Sequence, residues 1–204
     1  MAASYLDIKQ LLGLHPSSEE LSAHISSLVT LIPNSLPVQP EVKVYPDVVY
    51  YNYYPIGFSL QFKPVDGYRP QTGTRHDELH QESLVLDEVD LYNMPKASAS
   101  KAKSTYSSYP INPFTLSLVS IPEKSRPLSM SVSAGSTGKD FVSYLGEPDR
   151  KGGGAGPSSG SIGIWCEWSK DGIMVEFGGD ESRGPRAWEK GKDATWKVIS
   201  IFRT

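Results

Sequence analysis

Two fifteen-residue segments of this chain follow one pattern without a gap, and this repeat limits the possible folds more than any other feature. The segments are VVYYNYYPIGFSLQF (48–62) and GIWCEWSKDGIMVEF (163–177). In both, apolar or aromatic side chains recur with period two, which is typical of a β-strand with one buried face. Each segment places a glycine, Gly57 or Gly172, directly before its second run, where a hairpin turn often needs positive φ. We therefore predict two β-hairpins that are copies of each other.

The sequence around the hairpins extends this repeat. Upstream of each hairpin, a short helical pattern ends in Leu-Gly followed by a proline, at 12–16 and at 145–148. Downstream of each hairpin lies one further strand-like run, at 84–93 and at 195–202. The predicted fold class is therefore α+β, built from two tandem repeats that each combine helix with an antiparallel sheet.

A polar segment separates the two predicted repeats. Residues 94–108 contain almost no apolar side chains, so we expect an exposed, mobile stretch that a protease cuts first. The predicted domains are a first α+β repeat at 1–93, a flexible linker at 94–110 and a second α+β repeat at 111–204.

Period two also assigns the two faces of each hairpin. If Trp168 pairs with Ile173 across the turn 169–172, one row of side chains in each hairpin points to the core. The predicted core rows are Val49, Tyr51, Tyr53, Phe58, Leu60 and Phe62, and Ile162, Ile164, Cys166, Trp168, Ile173, Val175 and Phe177. The opposite faces carry large rings, which often mark a binding surface. The candidate binding residues are Tyr50, Asn52, Tyr54, Gln61, Trp165, Glu167, Met174 and Glu176.

The order of these elements resembles a known group of proteins. The second half runs from a helix through LGEP (145–148) and a glycine-rich loop to a tryptophan-bearing hairpin that ends in VEF (175–177). This layout is similar to the tandem α/β modules of the β-lactamase inhibitor protein and of the related small lipoprotein of the bacterial outer-membrane assembly machinery. The resemblance implies that fold and a bias toward binding another protein through the outer sheet face. The chain differs from the secreted members in its single Cys166 and in lacking a signal-peptide pattern.

The motifs that could carry chemistry are incomplete. RHDELH (75–80) has two histidines four apart but not the H-E-x-x-H order, so we expect a solvated loop. GSTGKD (135–140) lacks the spacing of a phosphate-binding loop, and a capped helix start explains it. Cys166 lies on a predicted core row, so we expect an inert thiol. Glu167 and Glu176 are expected to be cross-strand neighbours in solvent rather than an acid–base pair. We therefore predict no catalytic residue, no metal and no cofactor.

Charge and hydropathy restrict the classes of partner. The formal net charge is −3 and the basic residues form no block, which argues against nucleic-acid binding because phosphates require clustered Lys and Arg. No segment approaches the roughly 20 apolar residues that span a bilayer, and the N-terminal residues lack a signal-peptide pattern. One cysteine cannot form an internal disulfide. We expect a cytoplasmic protein without membrane contact, either monomeric or weakly dimeric.

Two functions remain open at this point. The first is non-enzymatic protein binding through the outward aromatic side chains, as in an inhibitor, immunity or adaptor protein. The second is a small-ligand-binding protein or enzyme with a pocket between the repeats, under the glycine-rich loop 152–160. A deep pocket lined by convergent polar groups distinguishes the second function from the first.

Overall fold

The computed structural model shows a mixed α+β protein in which antiparallel strands predominate over helices, so the predicted α+β class is confirmed. The described residues are 7–33, 37–94, 105–120, 126–154 and 163–204. The chain divides into two compact units, and the division falls between Ile111 and Asn112. In the described part of the chain, no helix is long and apolar enough to cross a membrane.

The first unit places helix before sheet. A 3-10 turn at Ile8–Leu11 precedes helix α1, Glu19–Thr30. Strands β1 to β4 follow at Glu41–Val44, Val49–Tyr53, Phe58–Pro64 and Leu84–Tyr92. They form an antiparallel sheet in the order β1-β2-β3-β4. Ser18 is the N-cap residue of α1 and two acids occupy its first turn, and both features favour the start of a helix.

The second unit opens with a separate pair of antiparallel strands, β5 and β6. Its elements are β5 Phe114–Ser117, β6 Ser129–Val132, α2 Gly138–Leu145, β7 Arg150–Gly152, β8 Trp165–Trp168, β9 Ile173–Phe177, α3 Ala187–Lys190 and β10 Trp196–Phe202. The last four strands form an antiparallel sheet in the order β10-β9-β8-β7. A capping box starts α2, since the Thr137 backbone N–H donates to the Asp140 carboxylate at 2.8 Å.

Both predicted hairpins are present with the predicted register and turn. Tyr53 faces Phe58 in the first, and Trp168 faces Ile173 in the second. Each turn is a single 3-10 turn closed by a left-handed glycine, with φ 56° at Gly57 and φ 61° at Gly172. The predicted face assignment is also confirmed, because every described residue of the two core rows is buried. Ile162 lies outside the described residues.

Three segments differ from the sequence predictions. Arg150–Gly152, part of the predicted glycine-rich loop, pairs with β8, and Ala187–Lys190, where no helix is predicted, is a helical turn. Residues 105–110 of the predicted linker 94–110 pack on the first unit, because Tyr106 and Tyr109 supply apolar area that the rest of the segment lacks. Residues 95–104 of that linker lie outside the described residues.

Candidate functional site

The outward face of the first sheet carries tyrosines interleaved with acids. The strand pairing aligns Tyr50, Gln61 and Glu88 in one row across β2, β3 and β4. A second row aligns Asn52 of β2 and Ser59 of β3, both buried, with Asp90 of β4. We call this surface the tyrosine–acid face, and it comprises Tyr50, Tyr54, Tyr92, Tyr106, Glu41, Glu88 and Asp90.

Tyr106 covers the centre of the tyrosine–acid face. Its ring stacks on Tyr92 with centroids 3.6 Å apart and an interplanar angle of 5°, and it contacts Tyr54 at 4.6 Å. Its hydroxyl donates to the Asn52 Oδ1 at 2.6 Å. Three tyrosine rings from separate parts of the first unit therefore form one packed cluster on the outward side of the sheet.

Asn52 is buried beneath this cluster, so the prediction that it lies on an exposed binding surface is wrong. Only 6% of the residue is exposed. Its Oδ1 also accepts a hydrogen bond from Ser59 at 3.0 Å, and its Nδ2 donates to the Glu41 carbonyl at 3.1 Å. Asn52 holds Tyr106 in place, and the packing of that ring removes its amide from solvent.

Tyr50 remains only half-buried, as the candidate binding role requires. Its ring lies edge-on to Tyr45, with centroids 6.2 Å apart. Burial raises the pKa of the Tyr50 hydroxyl, and the nearby carboxylates of Glu88 and Asp90 raise it further. The phenol therefore stays neutral, and it experiences a negative local potential that favours an approaching cation.

The remaining candidates of the first hairpin, Tyr54 and Gln61, each donate a hydrogen bond to an acidic side chain. The Tyr54 hydroxyl donates to Glu41 Oε1, and Gln61 Nε2 donates to Glu88 Oε2, both at 3.4 Å. Lys43 forms an ion pair with Glu41 at 3.3 Å. These side chains are half-buried or exposed, so they remain available at the edges of the tyrosine–acid face.

The second hairpin presents a different outward face. The Trp165 ring lies against the edge strand, so closely that a Cβ on Gly152 would be 2.7 Å from it. Glu167 forms an ion pair with Arg150 at 3.1 Å, and Glu176 forms one with Lys197 at 2.8 Å.

The strand register shows that these two acids are not directly opposite each other. Glu167 faces Met174, whereas Glu176 faces Trp165. The two acids are therefore diagonal rather than directly opposite neighbours on this face, and each forms an ion pair with a cation on an adjacent strand. All four outward candidates of this hairpin are half-buried.

The other titratable side chains considered in the sequence, Cys166, His76 and His80, pack against neighbouring residues. Burial raises the pKa of Cys166 to about 11, as expected for a thiol on a core row. The His76 ring lies edge-on to Tyr51 at 5.3 Å, and the His80 ring stacks on Tyr68 at 4.8 Å. Among the described residues, no group of three His, Cys, Asp or Glu side chains is placed to hold a metal ion.

Sequence reasoning identified Tyr50 and Tyr54 but missed the other two tyrosines of the tyrosine–acid face and its three acids. Tyr92 follows the period of β4, which points it outward beside the hairpin, so the alternation of that strand was an available signal. Tyr106 lies in a serine-rich segment without periodicity. Its contact with Asn52 spans 54 residues, and no local pattern predicts it.

Comparisons of the chain with protein-family models, with curated proteins and with solved structures found no match. The resemblance to the β-lactamase inhibitor type stays a prediction from the residues. The function must therefore be inferred from the geometry of the described residues.

Proposed function

We propose that the chain is a non-enzymatic protein-binding module whose tyrosine–acid face receives a basic segment of another protein. The observation that carries this proposal is the placement of tyrosine rings among Glu41, Glu88 and Asp90 on one outward sheet face. Tyrosine rings bury a large area at a small cost in side-chain entropy. Their faces and the neighbouring carboxylates both attract Lys and Arg side chains.

The packing of Tyr106 supports a preformed surface. This ring is held by a 2.6 Å hydrogen bond to Asn52 and by stacking on Tyr92. A surface whose side chains are already ordered loses less entropy when a partner binds. The buried Asn52 is therefore a positioning residue in this proposal, and Tyr50 is the contact residue.

The outward face of the second hairpin is the second proposed contact surface. Its acids are paired with Arg150 and Lys197, so its binding contribution comes from Trp165 and Met174. A tryptophan on a sheet face is a frequent hot-spot residue. We therefore expect apolar contacts here and charge-dependent contacts at the tyrosine–acid face.

We also infer that the two units are copies of one helix-plus-sheet module. Support comes from the shared hairpin geometry, with left-handed Gly57 and Gly172 at equivalent places. The strand orders β1-β2-β3-β4 and β7-β8-β9-β10 provide further support. For such a module we propose an inhibitor, immunity or adaptor role in the cytoplasm, as a monomer or weak dimer.

Site-specific photo-crosslinking tests the proposal. A benzophenone amino acid at Tyr50 should crosslink a partner that the same group at Tyr144, an exposed ring on α2, does not reach. Affinity should then be measured with the purified partner. Tyr50→Ala and Trp165→Ala should each weaken binding by about 1–3 kcal/mol, whereas Tyr144→Ala should leave it unchanged.

Charge substitutions test the basic character of the partner. Glu88→Gln and Asp90→Asn should weaken binding and reduce its dependence on salt, because they remove attraction that ions screen. Equal crosslinking from Tyr50 and Tyr144 contradicts the proposed surface. Unchanged affinity in both Tyr50→Ala and Trp165→Ala contradicts the role of the outward rings.

A further inference from the structure

The second unit contains a cleft that neither proposed contact surface uses. It has a volume of about 420 Å³ and lies on the core side of β8 and β9, where Ile164, Cys166 and Phe177 line it. Helix α2 contributes Val142, and α3 contributes Trp188. Small-molecule sites commonly have volumes of about 300–1,000 Å³ and predominantly apolar linings. The size and the lining of this cleft therefore suit a small ligand.

Cations outnumber acids around the cleft. Among the described residues that line it, Lys139, Lys151 and Lys192 are the cations and Glu147 is the acid. Each of the three lysines is exposed, and none forms an ion pair with a described acid. The cleft thus carries a net positive charge in a protein whose overall formal charge is −3.

A close backbone contact joins the two segments that carry Lys139 and Lys192. A Cβ on Gly138 would lie 2.5 Å from the Gly191 carbonyl oxygen and 3.3 Å from the Cα of Lys192. Only glycine allows this approach, which brings Lys139, the next residue in α2, to the same wall as Lys192. Like charges at one wall repel each other, and an anion bound there attracts both lysines and offsets that repulsion.

Trp188 provides the aromatic part of the cleft. The residue is 47% exposed, which is unusual for so large a ring. The Lys151 Nζ lies 5.7 Å from the centroid of its ring, within the range of a cation–π contact. A flat ligand that stacks on Trp188 would therefore bring an acidic substituent close to Lys151.

We propose that this cleft binds a small aromatic molecule that carries one carboxylate, sulfonate or phosphate group. The apolar floor and Trp188 hold the ring system, and the three lysines hold the anionic group. Lysine suits this role because its ammonium group pairs with an anion as a point charge. This site is independent of the proposed protein-binding faces.

Two matched fluorescent probes test the proposal on the full chain. The anionic probe is 8-anilinonaphthalene-1-sulfonate, and the neutral probe is N-phenyl-1-naphthylamine, which has the same ring system without the sulfonate. The anionic probe should bind at one site, at least tenfold more tightly than the neutral probe. Added NaCl should weaken only the binding of the anionic probe.

Substitutions at the lysines separate charge from apolar contact. The variant K139Q/K151Q/K192Q should bind the anionic probe at least tenfold more weakly and the neutral probe within twofold of the unchanged chain. Trp188→Ala should weaken both probes. Lys170→Gln removes an exposed charge from the hairpin turn, so it is the control and should change neither affinity.

Cys166 supplies a second readout, because it lines the cleft and is the only thiol of the chain. Bound anionic probe should slow its alkylation by N-ethylmaleimide at least fivefold, and the triple variant should lose this protection at the same probe concentration. If the triple variant does not fold, as judged by circular dichroism, Lys139→Gln and Lys192→Gln should each show a smaller loss of anionic-probe affinity.

Three results would overturn the proposal. The first is equal affinity for the two probes, which indicates apolar recognition only. The second is binding of the anionic probe without protection of Cys166, which locates the probe elsewhere. The third is undiminished anionic-probe affinity in the lysine variants.

Discussion

Asp171 and Arg126 form the most buried ion pair among the described residues, and we predict that breaking it destabilises the second unit strongly. The two side chains are 3% and 8% exposed. Arg126 Nη1 and Nη2 donate to the two carboxylate oxygens at 2.9 and 2.7 Å, and the Val119 backbone N–H donates to Oδ1 at 2.9 Å. Arg126 Nη2 also donates to the Val119 carbonyl at 2.6 Å. The pair therefore ties the hairpin turn to the segment that follows β5.

Asp171→Asn is the most specific perturbation of this pair. It keeps the side-chain shape and an acceptor for the Val119 N–H but leaves the buried Arg126 charge without a counterion. Removing one charge of a buried pair costs about 3–5 kcal/mol. For a chain of this length, 1 kcal/mol shifts Tm by about 2–4 °C, so Tm should fall by roughly 6–20 °C. Glu189→Gln is the matched control, because it breaks the exposed Arg186 pair and should cost less than about 1 kcal/mol.

Urea unfolding followed by tryptophan fluorescence measures this effect directly. All four tryptophans belong to the second unit, so their emission reports on that unit: Trp165, Trp168, Trp188 and Trp196. Arg126→Met and the double variant complete a double-mutant cycle. The double variant should be less destabilised than the sum of the single variants by about 2 kcal/mol, because neither charge is then left alone. Additive effects, or an Asp171→Asn midpoint equal to that of Glu189→Gln, would refute this reasoning.

Three further predictions concern the cores and the titratable groups. Trp168→Ala and Phe62→Ala should each lower the free energy of unfolding by about 3–5 kcal/mol, because both rings are buried; a Tm shift of only a degree or two for both would contradict the face assignment. Burial lowers the pKa of His24 below 6.5, so the unfolded chain binds the proton more strongly and the free energy of unfolding should fall as pH decreases below 6.5. His24→Gln should flatten this slope in urea unfolding followed by circular dichroism, whereas His76→Gln, at an exposed histidine, should not. Because burial raises the pKa of Cys166 to about 11, its alkylation rate should still rise about tenfold per pH unit from pH 8 to pH 10, and a plateau near pH 9 would contradict this.

The elements that sequence reasoning identified are those that short-range interactions decide. Alternation over five residues was enough to identify the buried rows of β2 and β9, because adjacent strand residues point to opposite faces. Gly57 and Gly172 marked both turns, because a left-handed residue is needed there. The segment GSTGKD (135–140) indicated a capped helix start, and in the structure a capping box of Thr137 and Asp140 begins α2. Each of these signals acts within a few residues.

The candidate sites depend on contacts between residues that are far apart in the sequence, and no short-range signal predicts such contacts. The outward direction of Tyr50 and Trp165 followed from period two, and both residues are half-buried as a binding role requires. The burial of Asn52 did not follow, because Tyr106 covers it from 54 residues away. The neutralisation of Glu167 and Glu176 depended on which cations stood on neighbouring strands.

Sequence patterns were enough to establish the α+β class, the two hairpins and the side of each hairpin strand that faces the core. Which polar groups lose contact with water and which charges converge follows instead from the packing of distant segments. Asp171 reads as an ordinary turn residue in the sequence, yet Arg126, 45 residues away, encloses it. Lys139 and Lys192 share one cleft because Gly138 meets the backbone at Gly191. Periodicity and turn preference act over a few residues, whereas desolvation and charge convergence depend on distant segments meeting in space.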